Sequence, residues 1–431
     1  MERRTLKKLA DWKMSSGRKP LVLRGARQTG KTWLMKEFGR LHFESTAYFN
    51  FDEEERLKSI FEANKDPLRI IELLGHLRGK KISSSGDLII LDEIQECPAA
   101  LNSLKYFCED ASEYHIVSAG SLLGTMLAQP KSFPVGKVNL LDVRPMLFDE
   151  FLQAVDAALY GYYSSIERGR KIETIFHQKL LEAYGQYLII GGMPECVSRW
   201  AQTKDPANVQ RAQGELLSLY EYDFSKHSGK VNAGRILLVF RSIAPQLAKD
   251  SGKFMYGHVK GGARAREFEE AIEWLASAGL VIRTFNVARP EHPLGAFEQR
   301  NHFKLYLLDV GLLKQMAGIA SEAILLKSDY LFKGALTENF VLQQIRDEYD
   351  HAPCFFAQTG KSEIDFLVQD GLDVIPIEVK SGENKRAASF KNYLDKRSPK
   401  KAIRFSKLEY EINNRFTNIP LYLAGRAREL T

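Results

Sequence analysis

A chain of 431 residues that is 44% hydrophobic and 27% charged has the composition of folded globular protein, which excludes disorder as its main state. At roughly 100–200 residues per domain, length alone predicts two to four domains, each able to bury a core. The net charge is +7, and residues 376–431 supply all of it, with 13 Lys and Arg against 6 Asp and Glu. A basic end on a neutral body points to a polyanionic partner, nucleic acid first, or else to a solvated face.

The start, MERRTLKKLADWKMSSGRKP, is basic but lacks the apolar stretch of a secretory signal, and reads as an amphipathic helix. No apolar run approaches the ~18–20 residues of a membrane-spanning helix. A cytoplasmic protein with no membrane partner is therefore expected. From residue 20 to about 145, short apolar runs alternate with helical stretches. Strands are expected at LVLR (21–24), AYFNF (47–51), DLIILD (87–92) and YHIVSAG (114–120). Continuous apolar strands of this kind suit a parallel sheet covered by helices on both faces. From about 146 to 230 the pattern turns helical, interrupted at Gly191-Gly192-Met193-Pro194. Residues 231–300 read as three helices and then the strand LVIRTFNVA, an order that resembles a winged helix-turn-helix. Its third helix carries Glu267, Glu269, Glu270 and Glu273, poor company for DNA phosphates, so a packing or lid role is expected there. The chain is softest at 290–302, RPEHPLGAFEQRN. Residues 301–431 then give a helix followed by the strands PCFFAQ, EIDFLV and DVIPIEVK. The expected fold is α/β: a parallel-sheet P-loop domain (1–145), a helical lid (146–230), a winged helix (231–300) and a C-terminal α/β domain (301–431). The cysteines, Cys97, Cys108, Cys196 and Cys354, form no CxxC pair and no HExxH accompanies them, so buried free thiols are expected.

After the first strand comes Gly25-Ala26-Arg27-Gln28-Thr29-Gly30-Lys31-Thr32, and then a helix. This is GxxxxGK(S/T) in the strand–loop–helix setting that makes it a phosphate cradle. The glycines let backbone N–H groups face the phosphates, and the helix N-terminus adds its partial positive charge. Lys31 would reach the β and γ phosphates of ATP, and the Thr32 hydroxyl would ligate Mg²⁺. The apolar run Leu88–Leu91 ends in Asp92-Glu93, 61 residues after Lys31. Asp92 would hold the Mg²⁺ and its water shell, and Glu93 would polarise the attacking water, so hydrolysis is expected. Ser121, after the next strand, could sense the γ phosphate, and Asp52 is a weaker candidate of the same kind. No arginine finger can be assigned, since a second subunit could donate it.

The C-terminal third holds a second constellation. Glu338 shares a helical stripe with Leu342, Ile345 and Tyr349, a costly place for a carboxylate unless it is paired or metal-bound. Period two puts Glu363 and Asp365 on one face of their strand, and Glu378 and Lys380 on one face of the next. Four carboxylates and a lysine can thus converge. Asp365 and Glu378, with the Ile377 or Val379 carbonyl, make an oxygen-rich set suited to Mg²⁺ or Mn²⁺, and Lys380 could position or deprotonate a water. The spacing D–x(12)–ExK behind a helical Glu is the PD-(D/E)xK signature of restriction-type nucleases; the alternative is an amphipathic sheet with solvated acids.

The order GARQTGKT, LIILDEIQECP, AGSLLG, RPMLFDEFL, GGMPE, YLFKGALTENFV, SEIDFLV and PIEVKSG resembles one family along nearly the whole chain. It is the prokaryotic AAA-type ATPases whose C-terminal half is catalogued as a domain of unknown function. The resemblance implies an ATPase core related to archaeal P-loop ATPases, a winged helix and a nuclease-like fold. Lys137, after Gly136, stands where that family usually shows Arg. The sequence thus predicts an ATP-hydrolysing switch coupled to a metal-dependent module that binds or cleaves DNA. The rival expectation is a regulatory ATPase controlling oligomerisation or capture of a protein partner, with a silent C-terminal module.

Overall fold

The computed structural model describes residues 3–121, 134–227, 232–249, 252–325, 332–358, 362–382 and 388–431. They fall in two compact units, one built from 2–144 with 274–280 and the other from 145–273 with 281–431.

The first unit is a five-stranded parallel sheet in the order β2-β3-β4-β1-β5. Its strands are β1 (Leu21–Arg24), β2 (Ser45–Asn50), β3 (Asp87–Asp92), β4 (His115–Ala119) and β5 (Asn139–Asp142). Both faces are covered, and the period-two alternation decides which side chain serves which core. Leu21, Leu23, Leu88 and Ile90 pack with Leu9 and Trp12 of the helix Arg4–Met14 and with Leu34, Met35 and Phe38 of the helix Lys31–His42. Val22, Ile89 and Leu91 point the other way, against Leu57, Phe61, Leu74 and Leu104. Because β3 is buried along its whole length, the acids at its C-terminal end meet the loop that follows β1. The four strands expected in this region form. β5, four residues alternating half-buried and exposed at the sheet edge, was not expected, because so short a pattern carries little signal.

The second unit opens with five helices: Phe148–Val155, Ala157–Ser164, Thr174–Ile190, Pro194–Thr203 and Pro206–His227. The Gly-Gly step after Thr174–Ile190 is a close approach. A Cβ on Gly192 would lie 1.9 Å from the Met146 carbonyl oxygen, and the Gly192 carbonyl accepts from the Met146 N–H at 2.6 Å. The Gly192 N–H donates to the buried carboxylate of Asp309 at 2.6 Å, which also caps the helix Val310–Met316. The helices Ala233–Leu247 and Tyr256–Val259 follow, with Ala265–Ser277, whose residues 274–277 count with the first unit, and then an eight-stranded sheet in the order β12-β13-β11-β10-β9-β8-β6-β7. These strands are β6 (Val281–Val287), β7 (Glu298–Leu307), β8 (Cys354–Gln358), β9 (Ser362–Asp370), β10 (Asp373–Val379), β11 (Ile403–Ser406), β12 (Glu411–Ile412) and β13 (Thr417–Pro420).

The boundary expected at 300/301 falls inside β7, so it needs correcting. The hairpin β6–β7 joins the C-terminal sheet through β8, by the pairing Asn286↔Phe355, and one sheet crosses the expected division. The polar first half of β7, EQRNH, reads as linker and hides the strand. Two of the four acids of Ala265–Ser277 are occupied by side chains: Glu269 accepts from Tyr256 at 2.5 Å, and Arg283 bridges Glu269 and Glu273 at 2.7 and 2.8 Å.

Candidate functional site

The loop after β1 is shaped by two glycines in left-handed backbone. Gly25 has φ +148, and a Cβ there would sit 2.2 Å from the Val143 carbonyl oxygen. Gly30, at φ 90, caps the helix Lys31–His42. Gln28 is left-handed too, at φ 63. Inside the loop the buried Thr29 hydroxyl donates to the Ala26 carbonyl at 3.0 Å. Arg3, 4% exposed, donates to the carbonyls of Thr29 at 3.2 Å and Arg144 at 2.7 Å, fastening the loop from outside. Lys31 folds back, its ammonium donating to the carbonyls of Gly25 at 3.0 Å and Ala26 at 2.8 Å. Burial pushes its pKa down to about 8 against the pull of Glu93 and Asp92. A phosphate would offer this ammonium a stronger acceptor than two carbonyls.

At the end of β3, Asp92 Oδ2 accepts from the Thr32 hydroxyl at 2.8 Å and from the Tyr48 hydroxyl at 3.0 Å. Burial raises the Asp92 pKa, and the neighbouring Glu93 adds to it; both effects favour a nearby cation. The hydroxyl and carboxylate oxygens of Thr32 and Asp92 fit Mg²⁺, a hard ion that takes oxygen ligands. Glu93 stands in left-handed backbone at φ 50, an unusual place for a non-glycine residue. Its carboxylate accepts from Ser121 at 3.0 Å and from Gln95 at 2.6 Å. The structure therefore gathers Lys31, Thr32, Asp92, Glu93 and Ser121 around the loop. Asp52 is exposed, and its N–H donates to Asn50. Lys137 pairs with Glu109 at 2.7 Å on the surface. Arg3, Tyr48 and Gln95 were missed in the sequence: only the fold brings Arg3 to the loop and Tyr48 to Asp92, and Gln95, two residues after Glu93, carries no sequence signal of its contact with that acid.

In the second unit, a cavity of about 270 Å³ is lined by Lys304, Glu338, Glu363, Asp365, Glu378 and Lys380, among others. Pairing of Ile377 with Phe366 across β9 and β10 puts Asp365 and Glu378 at the next facing positions. Like charges directly opposite destabilise a sheet unless a cation intervenes. Asp365 accepts from the Val379 N–H at 2.7 Å, and Lys380 pairs with Glu378 at 2.5 Å. Burial lifts the carboxyl pKa of Asp365 well above the usual range, with Glu378 and Glu338 adding to it, and burial lifts that of Glu378 as well. Burial opposes the charge on Lys380, but Glu378 and Asp365 outweigh it and hold the ammonium charged. Glu338, on the helix Lys333–Ile345, accepts from the Tyr306 hydroxyl at 2.7 Å. The expected carboxylates and Lys380 thus share one cavity. Two facing carboxylates with oxygen donors around them fit a divalent ion of the Mg²⁺ or Mn²⁺ class. Lys304 and Tyr306 were not expected; both come from β7, the strand hidden by its polar half.

The basic end is less bare than its composition implies. Arg397 pairs with Glu291, Lys400 with Asp373, Lys401 with Asp370, and Arg428 with Asp350 and Asp370. Lys391 and Lys396 are exposed on the helix Ala388–Arg397.

Residues 17–152 match the family described as AAA domain, and with the sheet order and loop above they form an AAA-type P-loop ATPase domain. Residues 181–323 and 333–424 match two domains of unknown function, DUF8612 and DUF4143. Among solved structures, the Walker-type ATPase PABY2304 of Pyrococcus abyssi is similar at 15% identity, over 73% of this chain and 97% of that one, with a TM-score of 0.46. The ORC1 protein of Aeropyrum pernix in complex with DNA shares 15% identity over 74% and 92% of the two chains, at a TM-score of 0.28. A signal transduction ATPase with a tetratricopeptide repeat sensor, PH0952 of Pyrococcus horikoshii, shares 11% over 81% and 46%, at 0.27. These likenesses are loose, and the fold rests on the strand order and the phosphate loop. No curated protein matches the chain. No helix among the described residues is long and apolar enough to cross a membrane.

Proposed function

We propose that the chain is an ATP-driven switch whose second unit is a metal-dependent, nuclease-like module that binds or cleaves DNA. The observation that carries this reading is the cavity in which Glu338, Asp365, Glu378 and Lys380 meet. In the ATPase domain, Lys31 would bind the β and γ phosphates, and Thr32 and Asp92 would hold Mg²⁺. Glu93, oriented by Ser121 and Gln95, would align the attacking water and accept its proton. In the second unit, Asp365 and Glu378 would hold Mg²⁺ or Mn²⁺, which supplies charge stabilisation on a scissile phosphate. Lys380 stays charged beside Glu378, so it serves to orient a water or to hold a phosphate oxygen. The helices Ala233–Leu247, Tyr256–Val259 and Ala265–Ser277 with the hairpin β6–β7 have the order of a winged helix. Its third helix spends Glu269 and Glu273 on Arg283, which favours packing over reading DNA.

The test is cleavage of linear, single-stranded and branched DNA in Mg²⁺ or Mn²⁺, with and without ATP, beside Asp365→Ala and Lys380→Ala. Cleavage by wild type that both variants lose by at least about 100-fold, the scale of an electrostatic or acid–base contribution, is expected. Intact DNA in every lane, with ATP still hydrolysed, would overturn the nuclease reading. It would favour a regulatory ATPase with a silent module, a second reading supported by the buried Lys304 inside the same carboxylate cluster.

A further inference from the structure

Lys304 is 2% exposed, and yet its ammonium reaches the cavity of the carboxylates. Its Nζ lies 2.7 Å from Glu363 Oε1 and 3.5 Å from Glu338 Oε2, with the Phe355 ring centroid 5.2 Å away. Tyr306, two residues on along the same face of β7, donates to the same Glu338 oxygen at 2.7 Å. Burying an ammonium is expensive unless acids surround it, and burying a group of acids is expensive unless cations do. Here the two costs offset each other. Among the described residues, four carboxylates line the cavity, Glu338, Glu363, Asp365 and Glu378, with three lysines. Lys249 turns its ammonium to His258 at 2.9 Å, so the ammonium groups paired with the acids are those of Lys304 and Lys380. One divalent ion balances the two charges that these pairings leave. A second would leave an excess of positive charge and would have to displace Lys304 from Glu363.

We propose that Lys304 is a built-in cation of this cluster: its ammonium holds, between Glu338 and Glu363, the place a second divalent ion would take. The acids thereby divide into a pair that belongs to Lys304 and a pair, Asp365 and Glu378, left for one metal ion. The second half of that division rests on the metal site proposed above; the first half does not. Lys304 is a positioning residue, and because it rides on the hairpin strand β7, the metal count of the cavity depends on a strand far away in sequence from the acids of β9 and β10.

The experiment is a Mn²⁺ titration of the full chain without nucleotide, with free Mn²⁺ read by electron paramagnetic resonance. Any ion held at Thr32 and Asp92 is common to all variants and cancels in the differences. Lys304→Met, which keeps the length and loses the charge, is expected to bind one more Mn²⁺ than wild type, and Lys304→Arg the same number as wild type. Equal numbers in wild type and a Lys304→Met chain with native circular dichroism would overturn the proposal. Should Lys304→Met fail to fold, Glu338→Gln/Glu363→Gln decides: an unchanged Mn²⁺ number supports the division of the acids, and loss of an ion overturns it. The metal site itself is judged separately by Asp365→Ala. If that variant binds as many ions as wild type, the site at Asp365 and Glu378 falls, whatever Lys304 does.

Discussion

Nucleotide binding at Lys31 should leave a measurable trace in protonation. In the chain without nucleotide its pKa is pushed down to about 8, because the ammonium is buried against two carbonyls. A lysine with a lowered pKa is partly neutral just above that value, whereas bound phosphates would favour the charged form and pull the pKa back up. Between the two values nucleotide binding must therefore take up a proton. Calorimetry at pH 8.5 in buffers of differing ionisation enthalpy should read an uptake of several tenths of a proton per ATP, shrinking toward zero at pH 6.5. Affinity should weaken as pH rises through 8 to 9.5. Lys31→Ala should show neither the uptake nor measurable binding; uptake that persists would assign the proton to another group. The position of Lys31 was legible in the sequence because the phosphate loop is a local object, with its glycines, lysine and hydroxyl inside eight residues. Tyr48 and Arg3 were not, since each contributes one side chain from a segment with no motif of its own; Gln95 lies inside LIILDEIQECP, but nothing in its type or spacing marks it as a partner of Glu93.

At the scale of elements, the Gly191-Gly192 interruption of the helical region has a packing reason that sequence alone does not reveal. The sequence marks a break; the structure shows the loop pressed on Met146 and tied to Asp309, whose carboxylate accepts from the N–H groups of Gly192 and Leu312. Gly192→Ala would drive a methyl into the Met146 carbonyl, and neither backbone can yield without losing the bond between them. We expect a loss of at least about 2 kcal/mol, the scale of an overpacked core. Thermal unfolding should move down by roughly 2–4 °C per kcal/mol. An unchanged midpoint would mean that the step relaxes freely. β7 teaches the complementary lesson. Its apolar half, FKLYL, has the alternation of a strand, but the polar EQRNH before it and the Pro and Gly just upstream mask the start. The first half of the strand that carries Lys304 and Tyr306 into the cavity falls in the stretch that reads as linker, so the four carboxylates and Lys380 are legible without these two partners.

For the whole molecule, the location of charge matters more than its sum. Residues 376–431 carry 13 Lys and Arg, and if each met a phosphate, log affinity for duplex DNA would fall with log salt at a slope of roughly −12. The fold argues for far less. Arg397, Lys400, Lys401 and Arg428 already face carboxylates, mostly from outside that segment, and Arg404 is buried against Asn418. A cation still paired with a carboxylate neutralises no phosphate and adds nothing to the slope. Exposed pairs of this kind are worth only about 0–1 kcal/mol, so a slope well beyond that of the exposed lysines would report that they exchange. Among the described residues, Lys391 and Lys396, exposed on one helix, are placed to engage phosphate directly. Fluorescence anisotropy with duplex DNA across a salt series should give a slope of about −2 to −4, and Lys391→Ala/Lys396→Ala should remove about 1.8 of it. A slope steeper than about −8 would mean that the acid pairs break cooperatively on binding and that the basic end acts as one surface. No binding at low salt would leave the carboxylate cavity without a nucleic-acid partner and turn the charge of this end into internal balance for the acids around it.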